Sequence, residues 1–332
     1  MRRGLVALLA LALFGASDGG LNLVDGGPPP VEVGAEVEPD AGSGEPADGG
    51  VSEVDPPLPD IVAAAALPIH ALWGDERLSE SELYDRLAAE RGVCFGESHG
   101  HAETHCAEAR ALLALSRQAQ AAALPFALGF EMFQRPFQFA LDGYVAGALS
   151  DVELVIQSEY DVRWAIDFDY YRALLERARS FQLPALALNA RAELTRKIAR
   201  TGLESLTAEE RGELPELDLN DPEHVAYIYG LFGVLPGHEA ESGLGNYYAA
   251  QTVWDETMAD TASRWLAQSG DDAQIIVFAG SSHCQQSAIP RRITRRTGAP
   301  VLGVLPILAS ELALYPESGI GYDVVVVLED EE

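Results

Sequence analysis

An α/β fold, with a mostly parallel, doubly wound sheet flanked by helices and a helical insertion at about 202–242, is what this sequence predicts. Three observations predict it. Short runs such as Gly92-Val93-Cys94-Phe95 and Ile275-Ile276-Val277-Phe278-Ala279 are apolar throughout, as strands buried on both faces must be. Longer stretches of helical periodicity separate these runs, which is the alternation of parallel βαβ units. Two of the runs end in the same grammar, Gly96-Glu97-Ser98-His99 and Gly280-Ser281-Ser282-His283. A Gly there suggests a tight turn, after which a His falls at the carboxyl edge of the sheet, where open α/β sheets bind ligands.

The elements follow in order. Ser79-x-x-Glu82 is a capping box that opens an amphipathic helix with Leu83 and Leu87 on one face. The first strand runs into Gly96-Glu97-Ser98-His99, and a helix rich in Ala and Leu occupies about 102–122. Pro125 opens a second strand that closes on Glu131; helical patterns cover 134–148, 150–158 and 170–181, and 161–168 is aromatic and irregular. Ala185 to Asn189 is the third strand, followed by a helix from Arg191 to Arg200. Three prolines and many acids mark 202–242 as an insertion where a lid would sit; a long helix at 244–268 leads to the strand 274–279. A short helix from Pro290, a strand at 301–305 and the run 323–328 complete the domain, the last strand being parallel or an antiparallel edge.

Composition bounds the function. Met1-Arg2-Arg3, an apolar run from Leu5 to Phe14 and Gly15-Ala16-Ser17 read as a secretory leader over 1–17, too short to span a membrane comfortably. Residues 18–60 hold eleven acids, no Lys or Arg, and many Gly and Pro, the composition of a disordered acidic linker. Removing those eleven acids and Arg2 and Arg3 from totals of 52 and 22 leaves 41 acids against 20 bases in the domain at 61–332. A surface so acidic excludes nucleic acid as a partner. The leader-like segment makes the expected location outside the cytoplasm, in the periplasm or cell envelope. Cys94, Cys106 and Cys284 all flank the suspected site, as buried small hydrophobes, as a disulfide joining two of them, or as a metal-bound thiolate.

Four strand ends carry polar groups: Glu97 with His99, Glu131, Asn189, and His283. Neighbouring strands lie about 4.8 Å apart, so these side chains converge. His99, His283, Glu97 and Glu131 make a candidate metal set, since imidazole with carboxylate suits zinc, manganese or iron. The same groups suit acid–base chemistry, with Glu97 or Glu131 as the base. His101 and His105, four apart, would share a helix face. Each residue also has a structural reading: the histidines as core donors, Glu97 at a helix N-terminus, Glu131 ion-paired with Arg163 or Arg191, Asn189 as a helix cap.

These residues, with their neighbours, resemble the ChaN-like haem-binding uptake family of the Tiki superfamily. The resemblance rests on Gly96-Glu97-Ser98-His99 with His105, Gly129-Phe130-Glu131-Met132-Phe133 with Gln134 and Gln138, Trp164, and Tyr170-Tyr171-Arg172. It continues through Leu188-Asn189-Ala190-Arg191, Gln251 to Ala259, Ala279-Gly280-x-x-His283 and Ile289-Pro290-Arg291-Arg292, covering about 67–315. It implies an exported α/β domain that binds haem in iron uptake, with His105, Asn189, Arg191 and Trp164 around the ligand. It also implies kinship with metal-dependent hydrolases, a protease or esterase that would use the His/Glu cluster. A homodimer and association with the membrane surface of the envelope are further partners the resemblance suggests. The chain departs from the family in having no lipobox cysteine near its leader and in carrying Cys284 after the second motif.

Overall fold

The structure, a computed structural model, describes residues 59–330 apart from 165, 236, 239–241 and 315–320. The leader expected at 1–17 and all but the last two residues of the linker expected at 18–60 lie outside the described residues. The strands are β1 (Ile69–Trp73), β2 (Glu76–Ser79), β3 (Gly92–Glu97), β4 (Phe126–Gln134), β5 (Ala185–Asn189), β6 (Gln274–Gly280), β7 (Val301–Leu308) and β8 (Val324–Leu328). The helices, in chain order, begin with α1 (Asp60–Ala63), α2 (Glu80–Leu87), α3 (Ala102–Ala121), α4 (Gln138–Val145), α5 (Asp151–Gln157) and α6 (Tyr160–Arg163). They continue with α7 (Asp169–Ser180), α8 (Ala192–Thr201), α9 (Ala208–Gly212), α10 (Pro222–Leu231), α11 (Gly245–Ser269) and α12 (Ile289–Thr297).

One eight-stranded sheet runs β2-β1-β8-β7-β3-β6-β4-β5. From β8 to β5 every pairing is parallel, and β1 closes that edge antiparallel to both β8 and β2. The last strand is therefore interior and parallel to β7. The antiparallel edge is instead an N-terminal hairpin turning at Gly74, whose φ of +59° suits a residue without Cβ. Its strands are four and five residues long, too short for the hydrophobic pattern to stand out.

Side chains alternate across the sheet and split the core in two. Phe95, Phe130, Ile276, Phe278 and Val304 join the cluster under α2, α3, α4 and α7. Cys94, Ala127, Ile275, Val277 and Ala279 face the opposite way, against Met258, Ala262 and Leu266 of α11 and Ile289 and Ile293 of α12. The capping box at Ser79 forms as the sequence predicts, with Glu82 Oε2 accepting from the Ser79 backbone N–H at 2.9 Å. Among its described residues the insertion holds the short helices α9 and α10, of which α10 lies against α11.

Candidate functional site

Adjacent placement of β3, β6, β4 and β5 brings the four polar strand ends to one rim. In the β3–β6 ladder Gly96 pairs with Ala279 and Glu97 with Gly280, so the two Gly-x-x-His motifs lie side by side. Ser281 Oγ donates to the Glu97 carbonyl at 3.0 Å and ties the two loops together. Neither glycine is there for a left-handed turn: Gly280 has φ −49° and ψ 140°, open to any L residue. Close approach demands them instead. A Cβ on Gly280 would stand 2.9 Å from His99 Nε2, and one on Gly96 2.9 Å from the Val304 carbonyl oxygen.

Glu131 reaches the rim through an irregularity. Between the pairs Phe130–Ala187 and Gln134–Asn189, β4 advances four residues while β5 advances two. Such a bulge re-aims side chains locally. Glu131 Oε2 accepts the Gly280 N–H at 2.7 Å, and Oε1 lies 3.4 Å from His283 Nε2. Asn189 Nδ2 donates to the Glu131 carbonyl at 3.0 Å, so Asn189 fixes the bulge. Arg163 donates to Gln134 and pairs with Glu193, and Arg191 forks onto Glu213, so neither arginine is the partner of Glu131.

On one side of Glu131 stands His99. Its Nδ1 is bonded to Glu97 Oε1, which also accepts from the Tyr171 hydroxyl at 2.6 Å. Trp164 Nε1 donates to that hydroxyl at 3.2 Å, and the Trp164 and His99 rings meet edge to face at 4.9 Å. Burial disfavours the imidazolium, but the carboxylates of Glu97 and Glu131 outweigh it and raise the pKa of His99. Burial likewise works against the Glu97 carboxylate, yet His105 and His99 bring it down to about 2. Behind Glu97, His105 of α3 bonds to Glu108 Oε2 at 2.9 Å, while His101 is exposed at the start of the helix, so the two do not act as a pair.

On the other side stands His283, whose Nδ1 lies 2.6 Å from Asp255 Oδ1 on α11. Asp255 Oδ2 meets His224 Nε2 of α10 at 2.9 Å, and His224 Nδ1 faces Arg292 at 3.1 Å. The insertion thus contributes a histidine that braces Asp255. Burial opposes protonation of His283, but Glu131 and Asp255 raise its pKa to about 9. The two imidazoles share one design. Each has Nδ1 fixed by a carboxylate, the arrangement by which an outer carboxylate orients a ligating or proton-transferring histidine, and His283 Nε2 faces Glu131.

Sequence reasoning passed over His224 and Glu108, and it met Tyr171 and Asp255 only within the stretches that carry the family resemblance, without giving either the role of holding a histidine. Glu108 had a signal, since i and i+3 share a helix face with His105; Asp255 and His224 had none in local spacing. Cys94 and Cys284 form a disulfide across 190 residues, and Cys106 is buried and free. The thiolate reading therefore falls for the paired cysteines.

Comparison with known proteins agrees with this architecture. The sequence model of the family described as "Haem-binding uptake, Tiki superfamily, ChaN" matches residues 83–293. No curated protein matches the chain. Among solved structures, the ChaN of Campylobacter jejuni, described with cofacial heme binding, superposes with a TM-score of 0.60 at 16% identity, over 79% of this chain and 97% of that one. A mutant of the erythromycin esterase EreC, in its open conformation, gives a TM-score of 0.41 at 14% identity, over 75% of this chain and 78% of that one. With its sheet order, its paired Gly-x-x-His loops and a family match over most of the domain, this chain belongs to the ChaN haem-binding uptake family of the Tiki superfamily.

Proposed function

We propose that this chain is an exported haem-binding protein associated with iron uptake at the cell envelope. The observation that carries the reading is His99, a fixed imidazole at the rim of a haem-binding family's fold. The side chains of Glu97 and His105 are fully enclosed, and those of His283 and Glu131 are 1% and 5% exposed, whereas His99 is 13% exposed. A macrocycle therefore meets the cluster from outside, across His99 and the half-buried Trp164. An imidazole beside an indole fits the ligand and the aromatic contact that haem requires. When bound, haem would supply an iron centre that an imidazole can ligate. Glu97 holds Nδ1 and leaves Nε2 for a ligand, while Tyr171 and Trp164 keep Glu97 in place. Export is supported by the leader and by the disulfide, which persists in oxidising compartments. Titration of the purified protein with hemin tests the reading. A Soret shift at micromolar protein is expected, weakened at least about tenfold in His99→Ala, on the scale of a lost ligand contact. Hemin spectra unchanged by wild-type protein would exclude it. Sedimentation of the hemin-loaded protein reads the homodimer.

A second reading, a metal-dependent hydrolase of Tiki type, is favoured by one specific feature, the buried row Asp255–His283–Glu131. An imidazole oriented by Asp255 suits proton transfer to a group held at Glu131. Bound metal together with a hydrolytic activity that vanishes in His283→Ala is its expected signature. Protein that hydrolyses no ester or peptide, with or without added zinc or manganese, would remove it.

A further inference from the structure

Behind His99, and separate from the surface that haem would meet, lies a closed group of donors. Glu97, His105 and Glu108 each offer one ligand atom, and these atoms all lie within 4.8 Å of one another. All three side chains are at 0% exposure. His105 Nδ1 is 2.9 Å from Glu108 Oε2 and 3.6 Å from Glu97 Oε2. Donors around one cation, each about 2.0–2.2 Å from it, stand roughly 3–3.6 Å from one another.

We propose that Glu97, His105 and Glu108 form an enclosed site for one divalent transition cation such as zinc, manganese or ferrous iron. Of these residues only Glu97 belongs to the donor set read from the sequence, and neither Glu131 nor His283 takes part. The proposal stands whether or not the chain binds haem.

Orphaned carboxylate atoms carry the inference. Glu97 Oε2, 3.6 Å from His105 Nδ1, and Glu108 Oε1 are buried with no hydrogen-bond partner among the described residues. Isolated orphans occur in native proteins; two on carboxylates that flank one imidazole call for a missing ligand. Glu97 has the His99 imidazole on its Oε1, whereas Glu108 faces His105, which Glu97 approaches as well. No Lys or Arg ion pair to either carboxylate is found among the described residues, so a proton or a cation must neutralise the second charge. The imidazole is already set for ligation, stacked on Tyr170 at 4.7 Å and edge-on to Tyr171 at 4.9 Å. One nitrogen with two carboxylate oxygens suits a transition cation and disfavours calcium or magnesium. Glu97 then has two tasks: Oε1 holds His99 and the Tyr171 hydroxyl, and Oε2 faces the cation. The cation would in this way stiffen the carboxylate that orients His99.

The test is elemental analysis of the full chain purified from cells grown with added zinc or manganese. About one equivalent per chain is expected, retained against EDTA while folded and released by guanidinium. Glu108→Gln should lose at least tenfold of this metal with its circular dichroism unchanged, whereas His283→Ala should keep it. Metal-free wild-type protein from both media would overturn the site and leave a shared proton between the carboxylates. Full occupancy in folded Glu108→Gln would overturn it equally. Should Glu108→Gln fail to fold, X-ray absorption at the metal edge of the wild-type protein decides. A shell with one imidazole supports the site; two imidazoles would move the metal to His99 and His283 and refute it.

Discussion

His283 titrates in a setting that favours its cation. Glu131 and Asp255 lie on either side of it, and burial, which opposes protonation, loses to them. The folded value of about 9 exceeds the unfolded 6.5, so the stabilisation is complete below pH 6.5 and disappears as pH rises through 9. At about 1.4 kcal/mol per unit, unfolding free energy should fall by roughly 2–3 kcal/mol between pH 6 and 9.5. Denaturant titrations at both pH values check this, and His283→Gln should flatten the difference. Asp255 acts in the opposite sense, since its pKa is depressed by His283 and His224 despite burial; its contribution is present above about pH 4 and lost in acid. Glu256, the next residue, is fully buried and ion-paired with Arg292, Arg295 and Arg296 at 3.2, 2.9 and 2.6 Å. Glu256→Gln should cost about 3–5 kcal/mol, the scale of breaking a buried charge network. A smaller loss would mean that the arginines are held well enough by their other partners, backbone carbonyls for Arg292 and Arg296 and Asp218 for Arg295.

At the scale of elements, two glycines next to the site do different jobs. Ala at Gly280 has an acceptable backbone conformation, but its methyl meets His99 Nε2 at 2.9 Å and Glu131 Oε2 at 3.6 Å. Gly280→Ala should therefore keep its melting temperature within a few degrees, equivalent to less than about 1 kcal/mol, while weakening hemin binding severalfold. Gly303 on β7 lies against backbone: a Cβ there would come within 2.2 Å of the Cys284 carbonyl oxygen. Gly303→Ala should destabilise by about 2 kcal/mol or more, because neither strand nor loop yields as a side chain does. Equal melting temperatures for the two variants would contradict this distinction.

For the whole molecule, the disulfide joins β3 to the residue after His283, near the two ends of the domain sequence. A loop of 190 residues constrains the unfolded chain strongly, and Cys94→Ala with Cys284→Ala should lose roughly 3–5 kcal/mol in denaturant unfolding. The cross-link also ties the strand that carries Glu97 to the loop that carries His283. Loss of less than about 1 kcal/mol would show that the sheet alone holds these segments together.

The alternation of apolar runs with long helical periods determined the α/β class, since a parallel strand must be apolar on both faces and needs a crossover helix. The polar strand ends likewise placed Glu97, His99, Glu131, Asn189 and His283 at one edge. Tertiary structure alone decided which strands are neighbours, because β6 enters between β3 and β4 from far along the chain. It brought Asp255 and His224 to His283 from two helices, and it closed Cys94 onto Cys284. No local period records such pairings, for they depend on where a crossover lands. The glycines show the same division: the sequence marked Gly96 and Gly280, but only the packed fold gives the reason, the lack of room for a methyl group.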